Sequence, residues 1–83
     1  MTTEGTQLLS HITMDPKVMA GKPIIKGTRL TVHFILALLA KGQSHDDIIR
    51  EYESLTREDI TACLYYASMV IDGSTIISLA EEA

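Results

Sequence analysis

The sequence predicts one small, mainly helical domain that begins with short β-strands, and three observations indicate this fold class. Helix-start signals stand at Ser44 and Thr56, and the apolar residues of 32–41 repeat with helical spacing. A stretch rich in isoleucine, with glycine and proline, occupies residues 21–31 and has the composition of a β-hairpin. A chain of 83 residues has room for one thin hydrophobic core, so we expect a single domain.

The boundaries of this domain follow from the polar ends of the chain. Residues 1–10 show no apolar periodicity and are predicted to form a disordered tail. The helix-turn-helix domain with its N-terminal β-ribbon is expected over residues 11–74. Residues 75–83 fit either a short strand or a helical turn, and the pattern does not choose between them.

Three short strands are predicted in the β-ribbon. The segment 11–14 alternates polar with apolar residues, and Asp15-Pro16 ends it because the residue before proline avoids helix and proline lacks a donor. Ile24-Ile25 favours a second strand, and Lys26-Gly27 supplies a tight turn in which glycine takes a positive φ. Residues 28–30 would return as the third strand. Such short exposed strands invite pairing with a second copy of the chain.

Three helices are expected after the ribbon. Thr31 can cap the first helix, over 32–41, and Gly42 follows it as a C-terminal stop. Ser44 and Thr56 each precede an aspartate by three residues, which is a variant of the capping box. The second and third helices, joined by about three residues, would form a helix-turn-helix outline.

Apolar residues are too numerous on two of these helices for one buried face. The third helix, from Arg57 to about Ile71, is predicted to bury Ile60, Cys63, Leu64, Ala67, Val70 and Ile71. Further apolar side chains lie outside the main stripes of the first and third helices. We therefore predict a homodimer whose interface contains Phe34, Leu38, Ala62, Tyr66 and Met69.

Charge is distributed unevenly along the chain, whose net charge is −4. Residues 11–43 are basic and residues 44–83 are strongly acidic. Basic side chains on a ribbon can contact DNA phosphates, and a helix-turn-helix reads bases from the start of its last helix. The predicted DNA-binding residues are Lys22, Lys26, Arg29, Arg57 and Thr61.

Two alternatives to DNA binding stay open at these positions. Lysines on the ribbon, with Lys17 among them, would also keep an exposed strand edge soluble. Arg29 could instead pair with Asp15 and hold the hairpin to the first strand. The acidic residues Glu58 and Asp59 oppose phosphate binding by the third helix.

No enzymatic or metal-binding pattern is present in the sequence. The three histidines are far apart, no nucleophile and base are suitably spaced, and Cys63 falls on a buried stripe. We predict neither catalytic residues nor a metal or other cofactor. The single cysteine, the absence of a signal sequence and the absence of a membrane-spanning run favour a cytoplasmic protein.

Two motifs in the chain together resemble a known family. They are Gly21-Lys22-Pro23-Ile24-Ile25-Lys26-Gly27-Thr28-Arg29-Leu30, preceded by Ile12-Thr13-Met14-Asp15-Pro16, and Ser54-Leu55-Thr56 with Glu58-Asp59-Ile60. Over roughly residues 11–70 the chain resembles the prokaryotic domain-of-unknown-function family 433, with Leu30 where isoleucine is more usual. The resemblance implies a homeodomain-like or winged helix-turn-helix fold, a homodimer, and pairing with a small PIN-like ribonuclease toxin.

These observations lead to one functional hypothesis and an alternative from another class. The chain is predicted to be a dimeric antitoxin-like regulator that binds a PIN-like ribonuclease toxin and its own operator DNA. In the alternative it is a homo-oligomeric protein-interaction adaptor that binds no nucleic acid. The acidic net charge and the acidic start of the third helix favour the alternative.

Overall fold

The structure is a computed structural model that describes residues 3–73, and the predicted tail at 75–83 lies outside the described residues. It confirms the predicted class, a mainly helical chain with a small β-region near the N-terminus. The elements in chain order are α1 (Thr3–Leu9), β1 (Ile12–Thr13), a 3₁₀ turn (Met19–Gly21), β2 (Ile24–Ile25), α2 (Val32–Ala40), α3 (His45–Glu51) and α4 (Arg57–Asp72).

The β-region is a two-stranded sheet, not the predicted set of three strands. β1 and β2 pair antiparallel, with Ile12 opposite Ile25. Residues 28–30 form a compact turn because the Thr28 hydroxyl donates to the Ile25 carbonyl and accepts from the Leu30 N–H. In place of the predicted third strand there is an isolated β-bridge between Ile24 and Thr31.

Two glycines shape the connections of this region, and the positive φ of Gly27 was predicted from the sequence. Gly21 has φ +80° and Gly27 has φ +83°, in the left-handed region that favours glycine. Met19 and Ala20, which carry side chains, also have positive φ values of 51° and 57°. The turn before β2 therefore stores backbone strain on the order of 1–3 kcal/mol per residue.

All three predicted helix caps are confirmed. The Thr31 hydroxyl accepts from the backbone N–H of Phe34 at the start of α2. Ser44 and Asp47 form a complete reciprocal capping box at α3, and Thr56 and Asp59 form another at α4. The Ser44 backbone N–H bound to its carboxylate is the main reason that the pKa of Asp47 lies below its usual value.

The core is one apolar cluster that joins β2 to the three predicted helices. Its buried members are Ile25, Val32, Ile35, Ile48, Leu55, Ile60 and Cys63. At its margin Phe34 and Tyr52 meet edge to face, with their ring centroids 5.7 Å apart. Within residues 3–73 no helix is both long and apolar enough to cross a bilayer.

The prediction of disorder over residues 1–10 was wrong for residues 3–9, which form α1. This helix packs against α4, and Gly5 and Ala62 are buried in the folded chain. Small residues at a helix contact let two backbones approach closely. Immediately after α1, His11 Nδ1 lies 2.7 Å from an Asp59 carboxylate oxygen and ties this part of the chain to the start of α4.

Candidate functional site

The side of α4 that was predicted to be buried is covered by the rest of the described chain along only part of its length. Ile60 and Cys63 are fully buried, as predicted. The prediction was wrong for Leu64, Val70 and Ile71, whose exposed fractions are 43%, 47% and 74%, and Ala67 is only half-buried. The apolar stripe therefore continues beyond the part of α4 that the other described elements cover.

The last turn of α4 is apolar in several directions. Met69, Val70 and Ile71 are consecutive residues, and successive helical side chains are about 100° apart around the axis. All three are exposed, Met69 at 38%. We call these three residues the exposed end of α4. A helix that is apolar all round is normally buried against another surface.

A groove adjoins this end on one side. It has a volume of about 400 Å³ and a mostly apolar wall, and we call it the α4 groove. Side chains from α4, from the start of α2 and from the segment before β2 line it: Pro23, Val32, His33, Leu36, Tyr66, Ala67, Val70 and Ile71. The groove is therefore built by elements that are distant in sequence.

The five predicted dimer residues do not form one exposed surface. Ala62 is 0% exposed, so its assignment to an interface was wrong, because the folded chain itself buries this residue. Phe34 and Leu38 are half-buried and pack against the core. Tyr66 lines the α4 groove, and Met69 belongs to the exposed end of α4.

The basic side chains of the ribbon are exposed. Lys22, Lys26 and Arg29 all lie at the surface, as does Lys17. The ion pairs found within residues 3–73 involve none of these four side chains. We call these four residues the basic loop, and its charges are available to an anionic partner.

The predicted pairing of Arg29 with Asp15 is not formed. Both residues line an open cleft of about 710 Å³, but no ion pair of 4.0 Å or less joins them. Instead, an Asp15 carboxylate oxygen accepts from the backbone N–H of Lys17 at 2.9 Å. Asp15 therefore stabilises its own turn.

The start of α4 presents little positive charge. The Arg57 guanidinium donates to the Asp46 carboxylate of α3, and the Thr61 hydroxyl donates to the Arg57 carbonyl at 3.1 Å. Glu58 is exposed beside them. Two of the five predicted DNA-binding residues thus make contacts within the chain, next to exposed negative charge.

Besides its predicted role in the capping box, Asp59 makes a contact with His11 that the sequence did not indicate. One carboxylate oxygen completes the capping box with Thr56, and the other pairs with His11 from a distant part of the chain. Burial, and secondarily the charge of Asp59, raise the pKa of the Cys63 thiol to about 12. Within residues 3–73 no group of three or more histidine, cysteine or acidic residues could hold a metal ion.

A family model and a solved structure indicate the same family. A family model described as "Protein of unknown function (DUF433)" matches residues 12–67. The chain is similar to the uncharacterised protein y4eO of Sinorhizobium fredii, with 32% identity over 56 residues. It is also similar to a DUF433 member protein from Anabaena variabilis of known crystal structure, with a TM-score of 0.68 and 29% identity.

These similarities cover the two relatives to different extents. The match to the Sinorhizobium protein includes 68% of this chain but 25% of that protein. The match to the Anabaena protein includes 77% of this chain and 64% of that chain. Each relative therefore extends well beyond the region that is shared.

Proposed function

This chain belongs to the DUF433 family of proteins of unknown function, and we propose that it is a dimeric, antitoxin-like cytoplasmic regulator that binds a PIN-like ribonuclease toxin. The observation that carries the proposal is the exposed end of α4, where Met69, Val70 and Ile71 present apolar surface in several directions. Apolar surface of this kind is typical of protein-binding sites.

Charge supports the choice of a basic partner. Residues 44–83 are strongly acidic, and α3 and α4 carry exposed acidic side chains. A basic ribonuclease would be attracted to this side of the molecule, and complementary charge speeds association and selects partners. The resemblance to antitoxin-like proteins rests on the Gly21–Leu30 motif and points to the same class of partner.

The proposed operator binding is assigned to the basic loop. Lys22, Lys26 and Arg29 are exposed there, whereas Arg57 is held by Asp46 and the start of α4 is acidic. Contacts from the loop to phosphates would supply affinity that falls steeply with salt.

The alternative function, a homo-oligomeric adaptor without nucleic-acid binding, is favoured by one specific observation. The helix that reads bases in helix-turn-helix proteins begins here with Glu58 exposed and Arg57 paired. Both candidate functions require the exposed end of α4 to bind protein, and they differ in whether DNA is bound.

The experiment that tests the proposal combines light scattering with co-purification. The full chain is expected to be a dimer at micromolar concentration and to co-purify with the small product of the adjacent gene, suppressing its RNA cleavage. Met69→Asp and Ile71→Asp should weaken both associations. Thr61→Asp adds the same charge two turns earlier on an exposed position of α4 and should leave them unchanged. A monomeric chain would contradict both candidate functions, and a dimer without toxin binding would contradict the antitoxin proposal.

DNA binding is tested in the same samples by fluorescence anisotropy on the chain's own promoter. Lys26→Ala and Arg29→Ala should weaken a salt-sensitive complex, while Arg57→Ala should not, because Arg57 is engaged by Asp46. If no complex forms at low salt, the adaptor function is the one that remains.

A further inference from the structure

The open cleft of about 710 Å³ lies between the β-region and the segment that follows α3, and we call it the ribbon cleft. Its apolar lining includes Val18, Ile24 and Leu30, of which Ile24 is buried and the other two are half-buried. Tyr52 adds an aromatic ring, which packs edge to face on Phe34. Such a lining can remove a flat, partly apolar ligand from water.

One guanidinium and one carboxylate line the ribbon cleft without neutralising each other. Arg29 and Asp15 are both exposed, and their charged atoms are more than 4.0 Å apart. One Asp15 oxygen accepts from the Lys17 N–H at 2.9 Å, which leaves the other oxygen to accept from a ligand. In the described part of the chain no ion pair uses the Arg29 guanidinium. The cleft therefore offers a set of donors and a set of acceptors to one ligand.

This pair of groups matches the base guanine better than it matches an anion. The Asp15 carboxylate would repel a phosphate or an acidic side chain. Guanine has two acceptors, O6 and N7, on one edge and two donors, the N1–H and the N2 amino group, on the neighbouring edge. An arginine fork can donate to the first edge while a carboxylate accepts from the second. Adenine has one donor and one acceptor on each edge, so half of these bonds would be lost.

Lysines beside the cleft favour a base that belongs to a nucleic-acid strand. Lys17 stands between the lining residues Asp15 and Val18 in the chain, and Lys26 directly precedes the lining residue Gly27. Both lysines are exposed, so they can contact the phosphates that flank a bound base. The base must be unpaired, because in a duplex its N1–H and amino group are used by cytosine.

We propose that the ribbon cleft binds an unpaired guanine within single-stranded nucleic acid. Arg29 donates to O6 and N7, Asp15 accepts from the N1–H and the amino group, and the apolar lining packs against the ring. This site goes beyond the proposed operator binding, in which the basic loop contacts the phosphates of a duplex. It requires neither the toxin nor the operator.

The first test uses the unaltered chain and changes the base, so it does not depend on the folding of a variant. Fluorescence anisotropy measures the affinity of the chain for a short labelled strand of thymines with one central guanine. Hypoxanthine at the centre lacks the amino group, and 7-deazaguanine lacks the N7 acceptor. Each replacement should weaken binding roughly three- to tenfold, and a central adenine or cytosine should weaken it further.

Two conservative variants assign the two edges of the base. Asp15→Asn keeps an oxygen for the Lys17 N–H but replaces an acceptor with a donor, so it should bind the guanine and hypoxanthine strands equally. Arg29→Lys keeps the charge but loses the planar fork, so it should no longer discriminate against 7-deazaguanine. Glu51→Gln, a matched loss of an exposed negative charge on α3, should leave every preference unchanged.

Three outcomes would overturn the proposal. Equal affinity for strands with guanine, adenine and cytosine would show that phosphates alone hold the strand, and no binding at low salt would show that no strand is held. Guanosine 5′-monophosphate, added as a competitor, should displace the strand only far above the Kd of the strand, because it offers the lysines fewer phosphates. Displacement near that Kd would identify a free nucleotide as the ligand. The promoter duplex is measured separately, so failure here leaves the proposed operator binding intact.

Discussion

Both halves of α4 carry apolar residues, but these residues have opposite surroundings. The first half is capped by Thr56 and Asp59, tied to His11 and packed into the core, so that Ile60 and Cys63 are fully buried. The last turn carries Met69, Val70 and Ile71 at the surface. Helical periodicity therefore predicts which side chains form an apolar stripe, but the burial of each side chain depends on which other elements pack against it.

The last turn of α4 also lacks the favourable interaction between charged side chains and the helix dipole that stabilises the first turn. Two acidic residues, Glu58 and Asp59, stand in the first turn of α4, where the helix dipole favours negative charge. The last turn ends at Asp72 and contains no basic residue, so a negative charge meets the negative end of the dipole. We infer that the first half stabilises the fold and that the end of α4 serves binding.

The largest expected effect comes from truncating one side chain in each half. Ile60→Ala should reduce the free energy of unfolding by about 2–5 kcal/mol, because it leaves a cavity in a fully buried position. Met69→Ala should cost several times less, because its side chain already contacts water. Urea titrations of the two variants measure both losses. Equal losses would contradict the division of α4 into a structural half and a binding half.

A smaller effect is expected from the buried thiol at alkaline pH. The pKa of Cys63 is raised from about 9 to about 12 in the folded chain, so the thiol's contribution to stability is fully present below pH 9 and is lost as pH rises towards 12. At about pH 10.5 the wild type should lose on the order of 1–2 kcal/mol more than Cys63→Ala does, measured from pH 8 by urea titration.

A second thiol makes this measurement a comparison between the two halves. Met69→Cys in the Cys63→Ala background places a thiol at the exposed end of α4, where water solvates the thiolate in both the folded and the unfolded chain. Below the concentration at which the chain dimerises, this variant should show no additional alkaline loss. A loss as large as that of the wild type would mean that position 69 is desolvated, and the exposed end would then be covered in solution.

The parts of the fold that could be predicted are those determined by neighbouring residues. The capping boxes at Ser44 and Thr56 need two side chains three positions apart, and the turn at Gly27 needs one residue with a positive φ. The sequence pattern therefore predicted the helix starts correctly. The motif that resembles the family, Gly21–Leu30, contains the turn at Gly27. The resemblance and the local sequence pattern therefore predicted the same fold class.

The parts that could not be predicted depend on contacts between distant segments. Residues 3–9 have almost no apolar periodicity, yet they form α1 and pack on α4, with Gly5 and Ala62 both buried. The pairing of His11 with Asp59 joins positions 48 residues apart. The α4 groove likewise combines Pro23, α2 and α4, and no single stretch of sequence shows that these elements leave it open.

The smallest expected effect concerns the cap that begins the structural half of α4. Thr56→Ala removes the hydroxyl that accepts from the Asp59 N–H, and it should cost about 1 kcal/mol of unfolding free energy. Thr61→Ala removes a hydroxyl from an exposed position within the helix, where it bonds only to the Arg57 carbonyl one turn earlier, and should change stability by less than about 0.5 kcal/mol. Thermal and urea unfolding of both variants give the comparison.

If Thr56→Ala is as neutral as Thr61→Ala, then packing by α1 and the pairing of Asp59 with His11 hold the start of α4 without the cap. The stability of the first half would then come from tertiary contacts alone, and the greater exposure of Met69, Val70 and Ile71 would be sufficient to explain why the two halves differ.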